Sequence, residues 1–148
     1  MEILSSSPAT TKKLAALLAK EISKYKGKGA LVIGLTGNLG SGKTTFIQGF
    51  ARGLGISRRL LSPTFLIIRN YKLKAKNWKL LYHIDCYRLK KPQELVALDF
   101  KKITADPKNI VIVEWAEKTR RLLPKKMVWI KMGHGKRANE RTIKVKAI

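Results

Sequence analysis

Apolar positions along the chain alternate between two rhythms, helical spacing and short unbroken runs. Leu14, Leu17, Leu18, Ile22 and Tyr25 recur at helical spacing with lysines between them. Ser7-Pro8 supplies an N-cap and a proline at the first helical position, and Gly27 and Gly29 end the pattern. Residues 30–36 (ALVIGLT) form a nearly unbroken apolar run, as expected of a strand buried on both faces of a parallel sheet. A glycine-rich turn follows at 37–42. Residues 44–54 return to helical spacing, with Phe46, Phe50 and Leu54 on one face and Gly55 just past the end.

The second half is richer in strands. Ser62-Pro63 excludes a helix and leads into the β-rich stretch 64–71 (TFLIIRNY). Residues 80–86 (LLYHIDC) predict a partner strand, with the polar stretch 72–79 as the hairpin loop. Pro92 opens a short helix through Phe100, and Asp106-Pro107-Lys108-Asn109 is a turn. Residues 110–113 (IVIV) predict another buried strand. Strands at 127–132 and 142–145 are joined by the polar loop 133–140. Interleaved strands and helices predict one α/β domain spanning 1–148, with a mostly parallel central sheet, some antiparallel strands and helices on both faces.

Composition narrows the function. The 148 residues include 32 Lys and Arg against 9 Asp and Glu, a formal net charge of +23, with 45% apolar residues. The apolar share excludes a disordered polycation. One Cys excludes an internal disulfide framework, and no Cys/His spacing suggests zinc. No basic flank leads into a long apolar run near Met1, and no apolar run approaches a membrane span. A cytoplasmic protein without a signal peptide is expected. The basic residues are scattered along the chain, which fits either a solvated surface or attraction to RNA or an acidic partner.

The sharpest motif is Gly37-Asn38-Leu39-Gly40-Ser41-Gly42-Lys43-Thr44. It fits G-x-x-x-x-G-K-[ST] at every fixed position, with a buried strand before it and an amphipathic helix after it. Glycines let successive N–H groups turn inward as an anion nest, and the helix N-terminus adds partial positive charge. Lys43 is placed to reach the β- and γ-phosphates, and the Thr44 hydroxyl to ligate Mg²⁺. ATP with Mg²⁺ is the expected ligand.

Two of the few acids stand where apolar residues are expected. Asp85 interrupts LLYHIDC, and Glu114 closes IVIV before Trp115. A carboxylate at a buried strand end is costly unless paired or bound to a cation, and strand ends are where an open α/β sheet binds ligands. Both acids are candidates for holding Mg²⁺ or orienting an attacking water. The structural alternatives are an ion pair of Asp85 with Arg88 and a helix-capping role for Glu114. His83 is read as a structural histidine, two residues before Asp85. Thr64 lies where GTPase-like proteins keep a γ-phosphate-sensing loop, and an ordinary turn fits equally well.

Together GNLGSGKTTF, SPTF (62–65), HIDCYR (83–88) and VEW (113–115) resemble, in order and spacing, the TsaE (YjeE) family, the bacterial ATPase of the tRNA threonylcarbamoyladenosine machinery. The opening Thr11-x-x-Leu14 and the Leu123-Pro124 before the penultimate strand fit as well. The resemblance implies a small P-loop α/β domain that hydrolyses ATP slowly when alone. Its implied partners are TsaB and TsaD, which with TsaC install threonylcarbamoyl on adenosine 37 of tRNA. The implied role is to reset the TsaB–TsaD complex for further turnovers, as a monomer or weak self-associate when alone, with tRNA met indirectly or through the basic surface.

By the same resemblance, Lys43 and Thr44 take phosphate and Mg²⁺ within the loop from Gly37 through Asn38, Leu39, Gly40, Ser41 and Gly42 to Thr45. Glu114 becomes a Mg²⁺ ligand. Asp85 is needed for hydrolysis, with Thr64 in a switch-like loop. Trp115 sits near the nucleotide, and Thr11 and a last-loop base, Arg137 or else Arg141, lie towards it. Asn38 stands where the family usually has Asp, which keeps the hydrogen-bonding shape and drops a charge. The competing readings are a small-molecule kinase, with Arg120-Arg121 as lid arginines, and an RNA-binding module that keeps ATP as a structural ligand.

Overall fold

The computed structural model describes residues 1–60 and 68–147, so the expectations for SPTF, Thr64 and the first residues of the strand at 64–71 lie outside the described residues. Along the chain run β1 (Glu2–Ser5), α1 (Pro8–Ile22), β2 (Leu31–Thr36), α2 (Lys43–Gly53), β3 (Ile68–Lys72) and β4 (Leu80–Asp85). They are followed by α3 (Gln93–Val96), α4 (Phe100–Ala105), β5 (Asn109–Glu114), a 3₁₀ helix (Ala116–Leu122), β6 (Val128–His134) and β7 (Arg141–Ala147). Among the described residues the strands form one sheet of order β1-β7-β6-β2-β5-β4-β3. The inner strands β6, β2, β5 and β4 are parallel, and β1, β7 and β3 join antiparallel. The expected mixed α/β sheet is therefore present.

Strand alternation divides the core into two layers. Leu31, Ile33 and Leu35 of β2 and Ile110 and Ile112 of β5 face α1 and α2. Val32, Val111 and Val113 point the other way, towards Leu95, Phe100 and Ala116 of α3, α4 and the 3₁₀ helix. Both faces of the central strands are thus covered, which explains their unbroken apolar runs. No helix among the described residues is long and apolar enough to cross a membrane.

The first helix begins as expected. Ser7 Oγ accepts from Thr10 N–H at 3.1 Å, with Pro8 at the first helical position. It ends at Ile22 rather than near Tyr25. The carbonyl of Ser23 is taken by the Trp78 indole N–H from the β3–β4 hairpin, at 2.9 Å, so a tertiary partner replaces the next helical turn. The helix expected at 92–100 is in fact two. Asp99 turns into the left-handed region (φ 61°), and Phe100 starts α4 instead of ending α3. β1 and the 3₁₀ helix were not anticipated; β1 is too short to show a period and is held by pairing with β7.

α1 and α2 meet more closely than side chains allow. A Cβ at Gly49 would lie 2.4 Å from the Lys12 carbonyl oxygen, and one at Gly53 would lie 2.5 Å from that of Ala16. These glycines, one turn apart, let the two backbones touch and seat α2 firmly under the loop that precedes it. Gly49→Ala is expected to destabilise the fold by about 1–3 kcal/mol, the usual range for overpacking. Urea unfolding should show a lower midpoint with an unchanged slope.

Candidate functional site

The loop between β2 and α2 is shaped by positions that only glycine fills comfortably. Gly37 has φ 146°, and a Cβ there would sit 2.5 Å from the Met132 carbonyl oxygen and 2.7 Å from Ser41 Oγ. Ser41 N–H donates to the Asn38 carbonyl at 3.1 Å and closes the turn. Gly42, in the left-handed region at φ 95°, caps α2 without a side-chain hydrogen bond. The first-turn N–H groups of α2 have no partners within the helix and carry its positive dipole end.

Lys43 is the first residue of α2 and is only 6% exposed. Its ammonium curls back under the loop, donating to the carbonyls of Gly37 and Asn38. It also lies 4.1 Å from the centroid of the Trp115 ring. Burial pulls the Lys43 pKa below its ordinary value, while Glu114, Glu117 and Asp85 act in the opposite sense. The cation is therefore held in place, partly desolvated and surrounded by acids.

Asp85 and Glu114 close neighbouring parallel strands and stand directly opposite in register. Alternation puts both on the α2 side of the sheet, along with His83. Glu114 is 6% exposed, and its Oε2 lies 2.8 Å from His83 Nε2. His83 Nδ1 has no hydrogen-bond partner among the described residues. One oxygen of Asp85, Oδ1, accepts from Tyr87 N–H at 3.0 Å. Burial raises the Asp85 pKa and Glu114 adds to the rise; the Tyr87 bond, His83 and Lys43 oppose it. Cys86 points into the other layer, where burial pushes its thiol up to about 12 and removes it as a nucleophile.

Trp115 follows Glu114 in the left-handed region at φ 55°, an unusual conformation for a bulky residue that marks a constrained position. Its ring packs at 45° against Tyr87, with centroids 5.1 Å apart. Lys118 reaches over both rings and donates to the Tyr87 carbonyl. Loop, acids and rings enclose a cleft of about 520 Å³, a volume typical of small-ligand sites. Leu39, Gly40, Ser41, Gly42, Lys43, Thr44 and Thr45 line one wall; Asp85, Glu114 and Trp115 line the other.

Not every residue expected at the site lines this cleft. Gly37 and Asn38 stand at its edge and serve as acceptors for Lys43. Thr11 is 1% exposed and shares a 2.6 Å hydrogen bond with Ser5 Oγ, inside the α1 layer and outside the cleft lining. Arg137 is exposed in the β6–β7 loop, where its backbone N–H donates to Glu140 Oε1, and it does not line the cleft. Arg141 does, beside Gly42, with its guanidinium anchored on the carbonyls of Ala138 and Glu140. Thr64 lies outside the described residues. The structure adds His83 as the partner of Glu114, and Tyr87 and Lys118 around the Trp115 ring; Arg88, read from the sequence as an ion-pair alternative for Asp85, lines the cleft as well. His83 had a signal in its two-residue offset from Asp85; Tyr87 had none beyond its place in HIDCYR, and Lys118 had none.

Known proteins share this architecture. Residues 5–143 match the family model for "Threonylcarbamoyl adenosine biosynthesis protein TsaE". The tRNA threonylcarbamoyladenosine biosynthesis protein TsaE of Bacillus subtilis is 39% identical over 123 residues, covering 83% of this chain and 71% of that protein. Its namesake in Haemophilus influenzae is 33% identical over 106 residues, covering 72% of this chain and 65% of the relative. The match thus spans about two thirds of these relatives' length. The crystal structure of Bacillus subtilis YdiB superposes with a TM-score of 0.74 at 31% identity, covering all of this chain and 85% of that one. On the extent of these matches, the chain belongs to the TsaE family of threonylcarbamoyl adenosine biosynthesis proteins.

Proposed function

We propose that the cleft binds ATP with Mg²⁺ and hydrolyses the γ-phosphate bond, and that this turnover serves tRNA threonylcarbamoyladenosine synthesis by acting on the TsaB–TsaD assembly. One observation carries the reading: a G-x-x-x-x-G-K-T loop faces two carboxylates, Asp85 and Glu114, set side by side at the ends of parallel strands. The relatives' names, which put the family in threonylcarbamoyladenosine biosynthesis, support a partner within that pathway, and TsaB–TsaD is the partner proposed here.

The donor set suits Mg²⁺. Thr44, an exposed residue of the cleft wall, offers a hydroxyl and Glu114 a carboxylate, both hard oxygen donors. Thr44 and Glu114 would hold the ion, with phosphate oxygens and water completing its shell. When bound, the metal neutralises charge that builds on the β- and γ-phosphates.

The chain's own residues supply the rest. The α2 N-terminus and the loop N–H groups cradle the phosphates. Lys43, held against two loop carbonyls, adds a fixed positive charge beside the γ-phosphate. Asp85 has one oxygen engaged by Tyr87 and keeps the other for the attacking water, whose proton it is placed to accept. His83 holds one oxygen of Glu114, whose side chain lines the cleft. Trp115, on the wall across from the loop, offers an aromatic ring to the nucleotide, and Arg141, beside Gly42, offers a cation.

The test is ATP turnover by the purified protein, alone and with TsaB–TsaD, in the presence of candidate small-molecule acceptors. Free phosphate should be released, slowly without partners and faster with them, and chelation with EDTA should bring turnover to background. Transfer of the γ-phosphate to an acceptor in place of free phosphate would assign the cleft to a kinase. A calorimetric titration without ATP binding would reject the site altogether.

A further inference from the structure

On the side of the sheet away from α1 and α2, the strands β6, β7 and β1 carry an exposed, cationic surface. A groove of about 530 Å³ runs along it. Its floor is Trp129, whose ring lies over Gly34, where a Cβ would meet Trp129 Cε3 at 3.1 Å. Arg120, from the 3₁₀ helix, lays its guanidinium 4.7 Å from the centroid of that ring.

The cations are arranged in register. Lys131 of β6 stands directly opposite Lys144 of β7, and Trp129 stands opposite Lys146. Like charges paired across strands on one face oppose folding. Among the described residues the one acid against them is Glu2, 3.9 Å from Lys144. Neither Lys131, Lys146 nor Arg120 has an acidic partner among the described residues. A sheet face built this way gains stability when it meets a polyanion.

We infer that this face is a binding surface for single-stranded RNA. Lysines spaced two residues apart along a strand track a phosphate backbone, while Arg120, resting on the Trp129 ring, offers the outer face of its guanidinium to a base. An acidic protein would satisfy the lysines and leave the stacked pair unused. The choice of RNA also rests on the proposed role in tRNA modification. Thr36 belongs to the same groove and immediately precedes Gly37, so RNA on this face lies next to the start of the phosphate loop.

The experiment measures anisotropy of a labelled oligouridylate of about 12 nucleotides, within the span of single-strand binding sites. Four proteins are compared: the unaltered chain, K131E/K146E, K131Q/K146Q and the charge-matched K74E/K76E, whose lysines are exposed in the β3–β4 hairpin. K131E/K146E should weaken binding about tenfold or more, and K74E/K76E much less. K131Q/K146Q should reduce the slope of log affinity against log salt by about 1.4, the value for two lost phosphate contacts on a single strand. If the charge reversals disturb folding, 4-thiouridine crosslinking of the unaltered protein should still mark peptides from β6 and β7. Equal losses in both lysine pairs, or crosslinks confined to other elements, would overturn the inference. So would unchanged RNA affinity in K131E/K146E with weakened binding to TsaB–TsaD, which would give the face to an acidic protein. RNA binding is read without ATP and ATP binding without RNA, so either reading can fail while the other stands.

Discussion

Lys43→Ala should lower ATP affinity by roughly 30-fold to several thousand-fold and bring hydrolysis to background. The range follows from truncating one partner of a buried charged contact, about 2–5 kcal/mol, at about 1.4 kcal/mol per decade. Lys43 is positioned by two loop carbonyls and by the Trp115 ring, so little ordering cost remains when a phosphate replaces those contacts. Its lowered pKa fits the same picture: burial has stripped away water, so the ammonium is poorly solvated until an anion arrives. Alanine also removes two hydrogen bonds that pin the loop, a loss of about 1–3 kcal/mol of stability. Calorimetry with ATP separates the effects. Unchanged affinity in a protein that still melts cooperatively would show that the phosphates lie elsewhere.

How much of this was readable beforehand depends on how local each feature is. The glycine-rich loop between β2 and α2 was legible because its glycines, lysine and threonine are contiguous and its flanking strand and helix have clean periods. Asp85 and Glu114 were legible as misplaced charges in apolar runs, and their side-by-side register follows once β4 and β5 pair in parallel. The pairing of His83 with Glu114 was not, because it crosses 31 residues and is diagonal in the sheet. Thr11 and Arg137, which do not line the cleft, show the limit of such local signals. A motif position or a loop base says nothing about which way a side chain points. Thr11 turns to Ser5, and Arg141, one strand residue into β7, takes the place by the cleft. The split between α3 and α4 was hidden because it rests on the left-handed backbone of Asp99, with no glycine to announce it. The net charge was legible as a number and uninformative as to place. Only the strand register brings Lys131 and Lys144 together.

Glu114→Gln should cost turnover about 10²–10³-fold, the scale for removing one preorganised electrostatic stabiliser, with nucleotide still bound. The amide keeps the shape of the side chain and still offers an oxygen to His83, so the buried contact at the end of β5 survives. What is lost is the negative charge. Without it the cleft holds Lys43, Arg88 and Arg141 against Asp85 alone among the acids lining it, and the proposed Mg²⁺ loses its carboxylate donor. Binding of ATP measured in EDTA should therefore change little or tighten, because a carboxylate facing the phosphates has gone. Binding in Mg²⁺ should lose most of its metal dependence, and the metal concentration for half-maximal turnover should rise. A purely structural role predicts a different pattern. Glu114→Gln would then lower the melting temperature and leave the metal dependence untouched. The comparison of ATP affinity with and without Mg²⁺ in the two proteins decides between them, since stability alone does not move that ratio.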